Sequence, residues 1–404
     1  MKSAKTRAYF LAAVAAILIV AAFIFAFWGS VPLIPPAQNP VANITHNEAA
    51  EKENATAGAN EVPKALSFSN IVPYSEGHVY KLAWGDYDGD GLPDLAIANY
   101  NRDNYLFVNN GNGTFTRYPE FGSGYSVDIK WADFDKDGFQ DVLVLRYNEP
   151  SSLYFNKGDG TFEEKKVFTE GHAKTMAVDD FNNDGYPDVF VGHDGENNYV
   201  YFNNQNRSFT EAKIENFASL HVTASDSCDL DNDGFKDIVV GTDFQQDYIL
   251  INEGDGTFTP TPALGTGMHT RAIVCRDLDM DGKLDVIVGN DKEASNIDRN
   301  YIYFNNGNFN FTQSPQIGEY TTYAVDVADF NNDGLPDIAV GNYNQESYIY
   351  LNLGKGQFSE GAVLEKNYVR DIKAADIDND NYPDVSAALD KNGVEIFMNE
   401  AGKS

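Results

Sequence analysis

One nine-residue stretch constrains this chain more than any other feature: Asp86-Tyr87-Asp88-Gly89-Asp90-Gly91-Leu92-Pro93-Asp94, which returns six more times. The copies begin at Asp133, Asp180, Asp229, Asp277, Asp329 and Asp376, at successive spacings of 47, 47, 49, 48, 52 and 47 residues. Self-similarity at a period of this size means an array of like supersecondary units.

Acidic side chains at the first, third, fifth and ninth positions of so tight a turn repel one another unless a cation lies between them. The first two copies supply Asp86, Asp88, Asp90 and Asp94, then Asp133, Asp135, Asp137 and Asp141. The third supplies Asp180, Asn182, Asp184 and Asp188, and the fourth Asp229, Asp231, Asp233 and Asp237. Asp277, Asp279, Asp281 and Asp285 follow, then Asp329, Asn331, Asp333 and Asp337, and finally Asp376, Asp378, Asp380 and Asp384. Calcium, a hard ion taking roughly six to eight oxygens, suits such a set. Water and the backbone carbonyl at position seven (Leu92, Phe139, Tyr186, Phe235, Lys283, Leu335, Tyr382) would complete the shell, so up to seven Ca2+ are expected, one per repeat. Position six is Gly in six copies and Asn381 in the last, residues that tolerate positive φ. An EF-hand is excluded, because its twelfth position requires Glu and here holds Ile97 or Val144.

Within one period the pattern is strand, acidic loop, strand, hairpin, strand, glycine turn, strand. In the second period the strands fall at 126–132, 142–146, 153–156 and 161–167, with Gly158-Asp159-Gly160 before the last. Four short antiparallel strands per repeat predict an all-β fold, a seven-bladed β-propeller with four-stranded blades. A Phe opens the fourth strand of the earlier blades, at Phe115, Phe162, Phe209, Phe258, Phe311 and Phe358, and the last repeat stops at Met398-Asn399 without one. The matching pattern is Leu66-Ser67-Phe68-Ser69-Asn70, so residues 65–70 are expected to pair with the last blade and close a propeller spanning 64–404.

The acidic loops, together with Gly-x-Gly-Thr-Phe turns such as Gly158-Asp159-Gly160-Thr161-Phe162, give the chain a resemblance to the FG-GAP or VCBS repeat proteins, whose seven-bladed form is the head of integrin α-subunits. The resemblance implies calcium in the loop between the first two strands of a blade, and a role in adhesion or ligand binding. Integrin heads carry calcium in only some blades; here all seven copies are full, and prokaryote-like surface proteins with the same repeats are a good match.

Residues 1–7 carry Lys2, Lys5 and Arg7, and an uninterrupted apolar run follows over 8–28, long enough to span a bilayer. It ends in Phe25-Ala26-Phe27-Trp28, aromatic where membrane meets water, rather than in a small-residue cleavage site. The expectation is a single-pass signal anchor with its N-terminus inside and the rest extracytoplasmic; cleavage just after the run gives a secreted protein instead. Residues 29–63, rich in Pro, Ala, Asn and Glu, read as a flexible linker. A net charge of −32 excludes nucleic acid as a partner. The partners left are the membrane, through the N-terminal helix, and an extracellular glycan or protein ligand.

If the loops line one face of a propeller, a ligand belongs on the other. Eight residues before each loop stand His78, Tyr125, His172, His221, His269, Thr321 and Tyr368; two residues later come Tyr80, Val127, Lys174, Thr223, Arg271, Tyr323 and Arg370. These are expected to ring the mouth of the central channel, as a site for a carbohydrate or an anionic group or as a transition-metal site on His172, His221 and His269. A binding or adhesion module is the leading reading. The alternative is a calcium-dependent lyase or hydrolase acting on acidic polysaccharides, with no catalytic residue assigned. Cys228 and Cys275 hold near-equivalent places in adjacent repeats, but their one-residue offset points them to opposite faces, so they read as two buried thiols.

Overall fold

The computed structural model describes residues 44–46, 66–74, 76–118, 120–168, 171–291, 299–314 and 317–401. The expected tail and anchor, 1–28, and most of the linker lie outside the described residues, among which no helix is long and apolar enough to cross a membrane.

Every described element is a β-strand, and, residues 44–46 apart, the strands pair antiparallel into repeated four-stranded sheets. One sheet comprises Ala173–Asp179, Asp188–His193, Asn197–Asn203 and Phe209–Ala218; the next comprises Val222–Cys228, Asp237–Thr242, Gln246–Asn252 and Phe258–Thr266. The second strand begins at the ninth residue of each acidic loop and is buried along its length, as in Asp141–Arg146 and Asp237–Thr242. That is why it reads as a continuous apolar run rather than an alternating one. Here the next sheet approaches so closely that only a small residue fits: a Cβ on Gly241 would lie 2.3 Å from Cγ2 of Thr270.

Elsewhere consecutive strands run on without a break. Asp94–Asn109 supplies the second and third strands of one sheet, between Val79–Gly85 and Phe115–Arg117. Phe358–Ala375 is the outermost strand of one sheet and, in its second half, the innermost of the next. That last sheet continues through Asp384–Leu389 and Gly393–Asn399 to Phe68–Tyr74, with Phe68 opposite Asn399.

The innermost strands touch in a closed circuit. Val79–Gly85 packs against Phe121–Ala132, which leads to Ala173–Asp179, Val222–Cys228, Thr270–Arg276, Thr322–Ala328 and the second half of Phe358–Ala375, and so back to Val79–Gly85. Carboxylates cross the joints: Asp128 accepts from the amide of Met176 at 3.0 Å, Asp226 from Cys275 at 2.9 Å, and Asp371 from Leu82 at 2.9 Å.

A second set of cross-links comes from the asparagine that ends each third strand: Asn109, Asn156, Asn203, Asn252, Asn305, Asn352 and Asn399, all buried. The side-chain amide of Asn203 donates to Pro187 O at 3.2 Å in its own loop and to Phe134 O at 2.8 Å in the preceding loop. Each of the others repeats this, and Asn109 closes the series by donating to Ile377 O at 2.8 Å. Replacing Asn203 with Ala strands two buried carbonyls, so Asn203→Ala is expected to cost about 2–4 kcal/mol in urea denaturation, against little change for the exposed neighbour Asn204→Ala.

Two expectations are corrected. Cys228 and Cys275 form a disulfide, with Cα atoms 6.3 Å apart. The one-residue offset does not keep them apart, because their strands are the innermost strands of adjacent sheets and both cysteines enter the same apolar cluster. Residues 44–46, within the stretch read as linker, form a strand parallel to Phe311–Gln313. Ile44 and Thr45 are β-prone, and the three-residue Phe311–Gln313 leaves an open edge for them to pair with.

Candidate functional site

The acidic loops share one hydrogen-bond pattern. The first Asp accepts amides from across the turn, so that Asp180 takes Asp184 N at 3.0 Å and Gly185 N at 2.7 Å, while the fifth accepts from the seventh residue, as Tyr186 N to Asp184 at 2.9 Å. The ninth is buried and takes two amides, as Asp188 does from Phe181 N at 3.1 Å and Asn203 N at 2.7 Å. Burial pushes this ninth carboxyl up to about 7 at Asp141, Asp188, Asp237, Asp285, Asp337 and Asp384, and to about 6 at Asp94. Position six has positive φ throughout, from 69° at Asn381 to 96° at Gly138. Position four does too, from Asn379 at 56° to Gly89 at 76°, which sequence reasoning missed although four of the seven residues there are Asn.

In five loops three carboxylates converge within 4.8 Å: Asp86, Asp88 and Asp90; Asp133, Asp135 and Asp141; Asp229, Asp231 and Asp233; Asp277, Asp279 and Asp285; Asp376, Asp378 and Asp384. The loops at Asp180 and Asp329, with Asn182 and Asn331 at position three, form no such triad among the described residues. Burial and the neighbouring carboxylates raise Asp231 and Asp279, and Oδ2 of Asp380 is buried with no hydrogen-bond donor. A hard divalent cation fits this all-oxygen donor set. Two cationic side chains already reach it: Arg207 pairs with Asp135, its Nε at 2.7 Å, and Lys283 pairs with Asp281.

At the other end of the innermost strands, about 20 Å away for a seven-residue strand, lies a cavity of 310 Å3. Each of these strands slips register once, and the unpaired bulge residues are Tyr80, Val127, Lys174, Thr223, Arg271, Tyr323 and Arg370. A bulge re-aims a side chain out of the ladder, and all seven line the cavity.

The companion set does not. His78, Tyr125, His172, His221, His269 and Tyr368 are outside the lining, because each is engaged by a neighbour. His78 faces Asp390 at 3.4 Å, His172 faces Glu196 at 3.1 Å and stacks on Tyr147, His221 pairs with Asp194, and His269, 6 % exposed, pairs with Asp243 at 2.6 Å. Tyr125 packs edge-on to Tyr100, and Tyr368 to Tyr343. With different carboxylate partners the three histidines do not converge, so the transition-metal reading is withdrawn.

Sequence reasoning also missed the carboxylates that hold these histidines. Fourteen residues after each loop begins stand Tyr100, Tyr147, Asp194, Asp243, Asp291, Tyr343 and Asp390. Their amides bond back to the carbonyls of the first set, as Asp194 N to His172 O at 2.9 Å. Four of them line the cavity. The signal was available as a second fixed offset from the loop.

Beside the mouth, Asp247 is a buried carboxyl accepting from Thr242 N and Thr270 Oγ1, each at 2.8 Å. Asn104, Asn198 and Asn300 do the same work in other hairpins. Burial pushes Asp247 up to about 7. The folded protein thus keeps a proton that the unfolded chain releases near pH ~4, so this group's contribution to stability falls as pH rises towards 7 and is level above. Asp247→Asn is therefore expected to gain on wild type from pH ~4 upward, reaching on the order of 2–4 kcal/mol above pH ~7 in urea denaturation.

A family profile described as FG-GAP-like repeat matches residues 86–144, 133–179, 180–227, 229–288, 277–340 and 329–387. No curated protein matches the chain. Among solved structures, a lectin from Burkholderia pseudomallei, BP39L, superposes with a TM-score of 0.65 at 14 % identity, covering 81 % of this chain and 98 % of its own. BBS1N, crystallised in complex with ARL6DN, superposes with a TM-score of 0.57 at 15 % identity, covering 83 % of this chain and 97 % of its own. At such identities the likeness concerns the fold alone, whereas the family match extends over most of the chain: the protein belongs to the FG-GAP-like repeat family and is a β-propeller.

Proposed function

We propose that this chain is a seven-bladed propeller, held outside the cell by its N-terminal apolar run, that binds calcium in its acidic loops and recognises a glycan or protein ligand at the opposite channel mouth. The observation that carries the recognition reading is the ring of bulge residues around one cavity. Every innermost strand contributes one of these residues, and Tyr100, Tyr147, Asp194 and Asp243 stand beside them, so a ligand seated there would touch all the blades at once. Seven members in the circuit of innermost strands support the blade count. The lectin neighbour supports a saccharide ligand, and BBS1N with its bound partner supports a protein one. Residues 8–28 support the anchor.

In the loops, calcium would be held by the carboxylates at positions one, three, five and nine, and it would neutralise charges that otherwise repel. The chain's own contribution is a preformed cradle, since the amides that orient those carboxylates are already in place.

For the recognition face, binding in a glycan and protein screen is expected to be lost in Tyr323→Ala with Arg370→Ala and retained in Asp184→Ala; retention in the mouth variant counts against this reading. For the loops, EDTA is expected to lower the melting temperature by several degrees and added Ca2+ to restore it. An unchanged melting curve would mean that the loops hold no ion.

A further inference from the structure

We infer that the ligand of the channel mouth is an uncharged saccharide ring, an inference that rests on the reading of the mouth as the ligand site. The mouth looks cationic in sequence, yet each cation there already has its carboxylate. Lys81 lies 3.2 Å from Asp371, Lys174 3.4 Å from Asp194, and Arg370 3.2 Å from Asp390; Arg271 sits between Asp243 at 3.6 Å and Asp291 at 3.5 Å. Four cations therefore meet five carboxylates. An anionic ligand would have to displace one of those acids and leave it unpaired in a partly buried site, which disfavours binding. A hydroxyl faces no such conflict, because it donates to a carboxylate and accepts from the adjoining guanidinium or ammonium without separating them.

The aromatic side chains supply the other half of the recognition. Tyr80 stacks on Tyr100 and Tyr323 on Tyr343, both with centroids 4.9 Å apart. Arg370 is held among them, its guanidinium carbon 5.1 Å from Tyr80, 5.1 Å from Tyr323 and 4.9 Å from Tyr343. Tyrosine offers an apolar ring face and a polar tip, which matches the C–H face and hydroxyl rim of a pyranose. The volume of 310 Å3 is at the small end of the roughly 300–1,000 Å3 of ligand pockets and suits a single ring rather than a folded segment of protein.

The test titrates the full-length protein by calorimetry with methyl hexopyranosides, each beside its methyl hexuronide, at low and high salt. At least one neutral glycoside is expected to bind with little salt dependence, its uronide at least ~tenfold more weakly. Tyr323→Ala should abolish the neutral binding; if melting shows that variant unfolded, Tyr100→Ala takes its place. Asp243→Asn, which frees part of the Arg271 charge, should raise uronide affinity ~tenfold. A uronide bound more tightly than its neutral partner, with affinity falling as salt rises, overturns the inference. So does a screen in which no glycoside binds but a protein ligand is lost on Arg370→Ala, an outcome that leaves the mouth as the ligand site. Glycoside binding that survives both Tyr323→Ala and Arg370→Ala overturns the reading of the mouth itself.

Discussion

The structure depends on a clasp between a buried aspartate and a buried asparagine. The ninth residue of each loop takes an amide from its own turn and another from the asparagine at the end of the third strand, as Asp237 does from Leu230 N at 3.1 Å and Asn252 N at 2.9 Å. The same asparagine then reaches Phe181 O in the preceding loop at 2.8 Å. One pair of side chains thus fixes the shape of the loop, the pitch of its sheet and the spacing to the next sheet. Burying a carboxylate is unfavourable unless its oxygens are filled by donors, and the regular repeat supplies those donors at every joint.

The clasp also separates two kinds of work along each innermost strand. At the loop end the acidic side chains at the first, fifth and ninth positions accept local amides, and the sequence there varies little from copy to copy. At the far end the register slips at one residue, and that residue differs in almost every copy: Tyr80, Val127, Lys174, Thr223, Arg271, Tyr323 and Arg370. A scaffold built from equal parts carries an unequal ring. The chemistry of that ring is free to change without disturbing the ladder, because a bulge residue makes none of the ladder's paired contacts.

Much of this was legible in the chain. The spacing of the acidic loops marks the repeats, and Gly138 or Asn381 at position six marks the positive φ. What was not legible depended on neighbours in space. His221 and His269 look like ligands in sequence, but the carboxylates that occupy them, Asp194 and Asp243, lie in the preceding sheet. Arg271 looks like a free cation for the same reason. The disulfide between Cys228 and Cys275 was obscured because alternation along a strand says which face a side chain takes, but not how the innermost strands of two adjacent sheets face each other. Asn203 and its counterparts went unremarked although they recur at a fixed place in every repeat, since an asparagine before a turn has an ordinary local explanation.

Phe68–Tyr74 and Gly393–Asn399 bring distant parts of the chain into one sheet. Phe68–Tyr74 is the outermost strand there, paired on one side only. Tension entering the chain from before residue 44 therefore falls first on the three-residue pairing of 44–46 with Phe311–Gln313 and next on this single ladder, with Ser69 tied to Glu400 and Glu400 N to Ser67 O as its last fastenings. Both pairings lie at sheet edges and can part while every innermost strand keeps its neighbours, so the strand that completes the last sheet is also one that would yield early if the chain were loaded from that side.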